Sequence, residues 1–260
     1  MQAGEAGPIA STHLFRFRTF RDAAASLTRD RSRLELTTGM RFGRLVFVGG
    51  VKTEGFTLGF ADPRLQMAMC VWDSEAALES FIQHSRIARS WLQASDQYCE
   101  VRMAPLRSHG TYRGREPLAG LRSPAVPDGP AALWTFANIP LTSVHYFWGS
   151  IRHATRRLLA SPGLIAGTAG PERFYRGAMT FTLWHSLDDA LRFSYREQPH
   201  RDIVERVREH RLLIDSMFIR LRPYAATGSW PAGSRFGHDF ERFAHLLEAR
   251  GRGERLALAP

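Results

Sequence analysis

Residues 67–81, MAMCVWDSEAALESF, and residues 179–193, MTFTLWHSLDDALRF, are two copies of one segment. Met67 and Met179, Trp72 and Trp184, Ser74 and Ser186, and Phe81 and Phe193 all stand 112 residues apart. Further on, Val101-Arg102-Met103-Ala104-Pro105 with Gly110-Thr111-Tyr112 is matched by Ile219-Arg220-Leu221-Arg222-Pro223 with Gly228-Ser229-Trp230, at a separation of 118. Six residues are therefore added to the second copy, between Phe193 and Ile219. So long a period marks a duplicated domain, because solenoid repeats span only roughly 20–50 residues.

Working outward from the repeat, His13–Thr19 alternates as a strand does, and Arg21–Leu36 has helical character and ends near Gly39. Leu45–Val51 reads as a buried strand, Lys52–Pro63 as a Gly-punctuated loop, and Leu65–Trp72 as a strand. Ser74 suits an N-cap, its hydroxyl accepting an orphan backbone N–H of a helix that runs to about Gln93. Tyr98–Leu106 closes the unit. The order repeats with a strand at Ala132–Asn138, a helix at Leu141–Leu159, and strands at Leu164–Thr168 and Gly177–Trp184. Gly167–Glu172 reads as a Gly-rich turn. Ser186 caps a helix through Tyr195, Pro199 opens another to about Leu213, and Met217–Pro223 is the last strand.

Each copy is thus a β-α-β-β-α-β, ferredoxin-like unit with one open sheet face, and packing two such faces together buries both. The expected fold class is α+β: tandem ferredoxin-like βαββαβ repeats forming, in one chain, an α/β barrel of the kind otherwise built by a dimer. The expected organisation is a disordered leader at 1–12, a first unit at 13–106, a Gly-, Pro- and Ser-rich linker at 107–130, a second unit at 131–224, and an extension at 225–260. That extension holds an amphipathic helix, Arg235–Arg250, with Phe236, Phe240, Phe243 and Leu247 on one face. Its stripe reads as a packing element, with reversible docking on a membrane surface as the functional alternative.

A net charge of +10 rests on 35 Lys and Arg, all of them Arg except Lys52. A basic chain attracts nucleic acid or anionic membrane. Here the arginines form no block, so the expectation is no nucleic-acid partner and a peripheral membrane contact at most. No apolar run approaches the ~20 residues that span a bilayer. The opening residues lack the apolar core of a signal peptide, and the expected location is cytoplasmic. Cys70 and Cys99 have no metal-like spacing, and a disulfide framework is not expected.

Nucleophile elbows, zinc-protease motifs, phosphate loops and Cys-His clusters are all absent from the sequence. A chain so short of protein nucleophiles is either a binding barrel or an enzyme whose cofactor carries the chemistry. His200, inside the lengthened stretch, reads either as an axial haem ligand or as an exposed residue of a charged helix. The haem reading needs aromatic walls, for which Trp184, Phe193, Tyr195 and Phe218 are candidates, and a propionate partner such as Arg206 or Arg208. His84 is the fallback ligand in the first copy and otherwise a surface residue. His145 and His153 read as surface or packing residues. Phe147, Trp148, Phe174 and Tyr175 read as core or as a barrel mouth suited to a long apolar ligand.

The second copy's Thr180-Phe181-Thr182-Leu183-Trp184-His185-Ser186, Phe193-Ser194-Tyr195, His200, Arg208, Phe218-Ile219-Arg220 and Gly228-Ser229-Trp230 share their order and spacing with one enzyme family. So do Gly55-Phe56-Thr57, Val71-Trp72-Asp73-Ser74, Gly110-Thr111-Tyr112, Gly114 and Pro117 of the first copy. Over roughly residues 13–231 the chain resembles the spheroidene monooxygenase family of carotenoid biosynthesis. The resemblance implies a dimeric-type α/β barrel and a haem-dependent monooxygenase. Such an enzyme hydroxylates and then ketolates an acyclic carotenoid, using O₂ and an external electron donor such as a ferredoxin. It implies haem b, with His200 as the iron ligand and Trp184, Phe193, Tyr195, Arg208 and Phe218 around it. Two alternatives stay open: a cofactor-free barrel that oxygenates or carries another apolar molecule, and a non-catalytic barrel acting by oligomerisation. If the barrel interior is packed solid with side chains, the two ligand-binding readings fail together.

Overall fold

The structure, a computed structural model, describes residues 7–48, 50–52, 55–57, 62–121, 129–172, 176–196, 212–231 and 236–257. The first unit contains β1 (Ile9–Phe17), α1 (Phe20–Leu34), β2 (Met40–Phe47), the hairpin β3 (Gly50–Lys52) and β4 (Gly55–Thr57), β5 (Leu65–Trp72), α2 (Glu75–His84), α3 (Arg86–Ala94) and β6 (Ser95–Gly110). The second contains β7 (Ala131–Asn138), α4 (Val144–Ala160), β8 (Leu164–Glu172), β9 (Gly177–Trp184), α5 (Leu187–Leu191), a π-helical turn (Arg192–Arg196) and β10 (Asp215–Gly228). A final helix, α6, covers Gly237–Ala257.

The duplication is visible in the strand register. Ile9 pairs with Trp72 and Ala10 with Met103 in the first unit, and Ala131 pairs with Trp184 and Ala132 with Leu221 in the second. Both halves have the ferredoxin-like strand order. They join through β6 and β10 into one eight-stranded antiparallel sheet, β2-β5-β1-β6-β10-β7-β9-β8. The ends of that order meet: a Cβ on Gly170 of β8 would lie 1.7 Å from the Phe47 carbonyl oxygen of β2. The sheet therefore curls into a barrel, which hides the two edges that an open sheet would expose.

The inward faces of both halves form one core, in which Phe42 meets Phe136 edge-on at 5.4 Å. Trp134, also in this core, donates its indole N–H to Thr12 across the halves at 2.9 Å. A second core lies between the first half's sheet and α1–α3. Gly110 and Gly228, the repeated glycines, end β6 and β10 at φ of 80° and 79°. A Cβ at either would sit 2.1 Å from a partner-strand carbonyl oxygen, that of Ser216 or of Tyr98. Only glycine fits such a left-handed crossing, and the chain then turns Tyr112 and Trp230 into the core.

Several elements differ from the sequence reading. β1 starts at Ile9, with Ala10, Ser11 and Thr12 fully buried, so the strand takes up the end of the expected leader. The helix after Ser74 breaks at Ser85, which caps α3 by accepting from the Ile87 N–H. Part of the Lys52–Pro63 loop is the β3–β4 hairpin. The Gly-rich turn at Gly167–Glu172 is part of strand β8. Much of the linker is ordered, because β6 runs on to Gly110 and Tyr112 and Leu118 are buried. The Phe stripe of α6 faces inward, with Phe236, Phe240, Phe243 and Leu247 all buried and Phe240 5.4 Å from Trp230. Those side chains are core, which removes them as a membrane-docking stripe.

Candidate functional site in the second half

The repeated Trp and Phe make the same contact twice. Trp72 lies 4.9 Å from Phe81, and Trp184 lies 5.5 Å from Phe193, each pair sitting between sheet and helical layer. The repeated serines also act alike: Ser74 accepts from the Ala77 N–H and Ser186 from the Asp189 N–H. Beyond these contacts the two helical layers diverge.

In the first half the layer is filled. Phe15 stacks on Trp91 at 4.7 Å, and His13 sits 5.9 Å from the same indole. A continuous hydrogen-bond chain runs through the layer. Trp72 Nε1 donates to Ser11 Oγ at 2.8 Å, and Ser11 Oγ lies 2.8 Å from His13 Nε2. His13 Nδ1 lies 2.8 Å from the Tyr98 hydroxyl, which donates to Glu100. Arg102 then holds Glu100, Glu75 and Glu79 together, and Tyr224 donates to Glu75. Burial lowers the His13 pKa against the opposing pull of Glu100, and burial together with Glu100 raises that of Tyr98. The chain is satisfied by a neutral imidazole that donates from Nδ1 and accepts at Nε2.

Some of the same positions carry smaller side chains in the second half, while Ser11, Ala68 and Cys70 give way to the larger Leu133, Thr180 and Thr182. By strand register, Phe15 corresponds to Ala137, His13 to Thr135, Leu45 to Ala169 and Gln66 to Ala178. The helix above also sits differently. A Cβ on Gly43 would meet Leu34 of α1 at 3.1 Å, whereas the nearest neighbours of one on the corresponding Gly167 all belong to the sheet: Thr182, Phe181 and Leu164. Towards its start α4 is pinned to the sheet by Phe147, which packs with Ala137, Ile139 and Ala178. Towards its end Leu158 and Leu159 join the main core. The candidate site is the face between these two anchor points, which carries Thr135, Ala169, Thr180 and Thr182, with Trp184 and Phe193 at one end; Ala137 and Ala178 lie under the Phe147 anchor itself. Thr182 accepts the Trp184 indole N–H at 2.9 Å, so the ring offers an apolar surface.

Of the residues read from the sequence, Trp184 and Phe193 are brought together and are buried. Tyr195 lies in the π-helical turn directly after them. Phe218 is on the same side of the sheet but two strands away, roughly 15 Å along and across the ladder, and is 45% exposed. His200, Arg206, Arg208, Phe174 and Tyr175 lie outside the described residues. His84 and His145 are exposed, as the surface reading had it. Among the described residues large side chains from both halves of the sheet fill the barrel interior, so the ligand-binding readings fail in the form expected from the sequence, with a site inside the barrel. The His13–Tyr98–Glu100–Arg102 chain had no sequence signal, since its members meet only through the cross-strand pairing of His13 with Glu100.

No protein-family model matches the chain. A spheroidene monooxygenase of Rubrivivax gelatinosus is 30% identical over 200 residues, covering 76% of this chain and 74% of that protein. The chain belongs to the spheroidene monooxygenase family. A further member, from Rhodobacter capsulatus, is 24% identical over 229 residues, covering 86% of this chain and 93% of its own. Among solved structures, an aldoxime dehydratase superposes with a TM-score of 0.54 at 12% identity, over 83% of this chain and 81% of that one. A second, in complex with butyraldoxime, gives 0.53 at 11% identity over 83% and 79%. At such identities the likeness concerns the fold alone, and it spans both halves of the barrel.

Proposed function

We propose that this protein is a monooxygenase of an acyclic carotenoid, acting with haem b and O₂ in the helix-side space of its second half. The observation that supports the reading is the contrast between the halves: Phe15, His13 and Leu45 of the first layer are replaced by Ala137, Thr135 and Ala169 in the second. A flat apolar group fits a face of small side chains between two helix anchor points. The family relatives, named spheroidene monooxygenases, support a long apolar polyene as substrate.

In this reading His200 is the iron ligand and Arg208 pairs with a propionate. Haem, when bound, supplies the activation of O₂ with electrons from an external donor such as a ferredoxin. The chain's own residues position and shield. Trp184 and Phe193 wall one end and keep water out, and the small residues of β7–β9 let a planar group lie flat. The filled first half offers no equivalent space, so one site per chain is expected.

The test is the absorption spectrum of protein expressed with haem supplied. A Soret band saturating at one haem per chain, and lost or displaced in His200→Ala, is the expected result. A colourless protein, or a band indifferent to His200→Ala, overturns the haem assignment and leaves the cofactor-free barrel. Pigment change in a host that makes acyclic carotenoids tests the substrate class separately.

A further inference from the structure

The helix-side face of β10 presents Ile214, Ser216, Phe218, Arg220, Arg222 and Tyr224 in alternation. Its middle is uncovered. Ile214 is 57% exposed and Phe218 45%, and Arg107, His109 and Arg222 are exposed as well. Register places these together. Phe218 lies between His109 of β6 and Thr135 of β7, and Arg220 lies between Arg107 and Leu133.

Arg107 and Arg220 thus stand directly opposite each other, with Arg222 next along the same face. Like charges in that relation repel. No Asp or Glu occurs on this face from Ile214 to Tyr224 of β10 or from Ala104 to His109 of β6. Among the described residues no carboxylate pairs with Arg107, Arg220 or Arg222. The nearby Glu75, Glu79 and Glu100 are already held by Arg102. In the first half the position of Phe218 is taken by Glu100, which is buried and ion-paired, so no equivalent patch forms around it.

We infer that this patch docks the protein on an anionic lipid bilayer. The guanidinium groups of Arg107, Arg220 and Arg222 would meet headgroup phosphates, and Ile214 and Phe218 would enter the interfacial layer. An opposed arginine pair with no carboxylate partner among the described residues is relieved by a dense anionic surface, and apolar side chains among the arginines suit a bilayer better than an acidic protein face. The patch continues onto the β7–β9 face of the proposed site. The inference therefore rests on that reading for its purpose, the transfer of an apolar substrate out of the membrane, but not for its measurement.

The experiment is co-sedimentation of the purified full chain with phosphatidylcholine vesicles, with and without phosphatidylglycerol. Binding is expected only when phosphatidylglycerol is present. The Arg220→Gln/Arg222→Gln variant should weaken it about tenfold or more, and Ile214→Ser should weaken what remains at raised salt. Arg86→Gln/Arg89→Gln, which removes the same charge from α3, should leave it unchanged. Absence of vesicle binding, an equal loss in both double variants, or patch-dependent capture of an acidic soluble protein without vesicle binding overturns the inference. Oxidation of detergent-dispersed carotenoid separates the two proposals. Turnover without vesicle binding removes the docking surface alone, and vesicle binding without turnover removes the monooxygenase reading alone.

Discussion

His13 shows how one residue separates the two halves. It is fully buried and bonded at both ring nitrogens, and burial lowers its pKa from the ordinary 6.5. The folded state therefore binds fewer protons at this residue than the unfolded chain does. Its stabilising contribution is complete above about pH 6.5 and is lost as pH falls below that value, at up to about 1.4 kcal/mol per pH unit. Urea unfolding of the native protein and of His13→Gln, each at pH 7.5 and 5.5, tests this. The native protein should lose more stability between the two pH values than the variant. Equal losses would mean that His13 is not the buried neutral group assigned here. At the corresponding position Thr135 needs no such support.

At the scale of the element, α6 acts as a wall of the barrel. The spacing of Phe236, Phe240, Phe243 and Leu247 already marked an amphipathic helix, and the structure supplies its partners: Phe240 packs on Trp230, which stacks on Phe181 of β9 at 6.3 Å. Phe240→Ala should cost about 3–5 kcal/mol, whereas Leu246→Ser, at a position 45% exposed, should change stability by less than about 0.5 kcal/mol. Denaturation midpoints of the two variants check the contrast. Comparable effects would place α6 outside the core. The strand-and-cap pattern around Trp72-Asp73-Ser74 and Trp184-His185-Ser186 was legible because capping and alternation are local. The break at Ser85 was not, because the Ser85 cap competes with helix continuation and packing of Trp91 and Ile87 decides the outcome.

At the scale of the whole molecule, closure depends on the meeting of β2 and β8, the two ends of the sheet order. Gly170 permits a backbone approach that no side chain allows. An ionic cluster closes the same region: Tyr112 donates to Glu172 at 2.6 Å, Arg113 pairs with Glu172 at 3.2 Å, and Arg44 pairs with Glu35. Gly170→Ala should force β2 away and cost about 1–3 kcal/mol or more. Gly167→Ala, with its nearest contact at 3.3 Å to Thr182, should cost clearly less. Equal unfolding midpoints for the two would show that the barrel does not close at this contact. The duplication, the ferredoxin-like order of each half and a single-chain barrel were all legible in the sequence. Those features follow from local periodicity and from repeated landmarks such as Gly110 and Gly228, where one residue type satisfies a backbone demand. Which helical layer is filled by large side chains of the sheet was legible only in the tertiary structure. That depends on which side chains from distant strands are brought opposite one another, as His13 is to Glu100 and Arg107 is to Arg220.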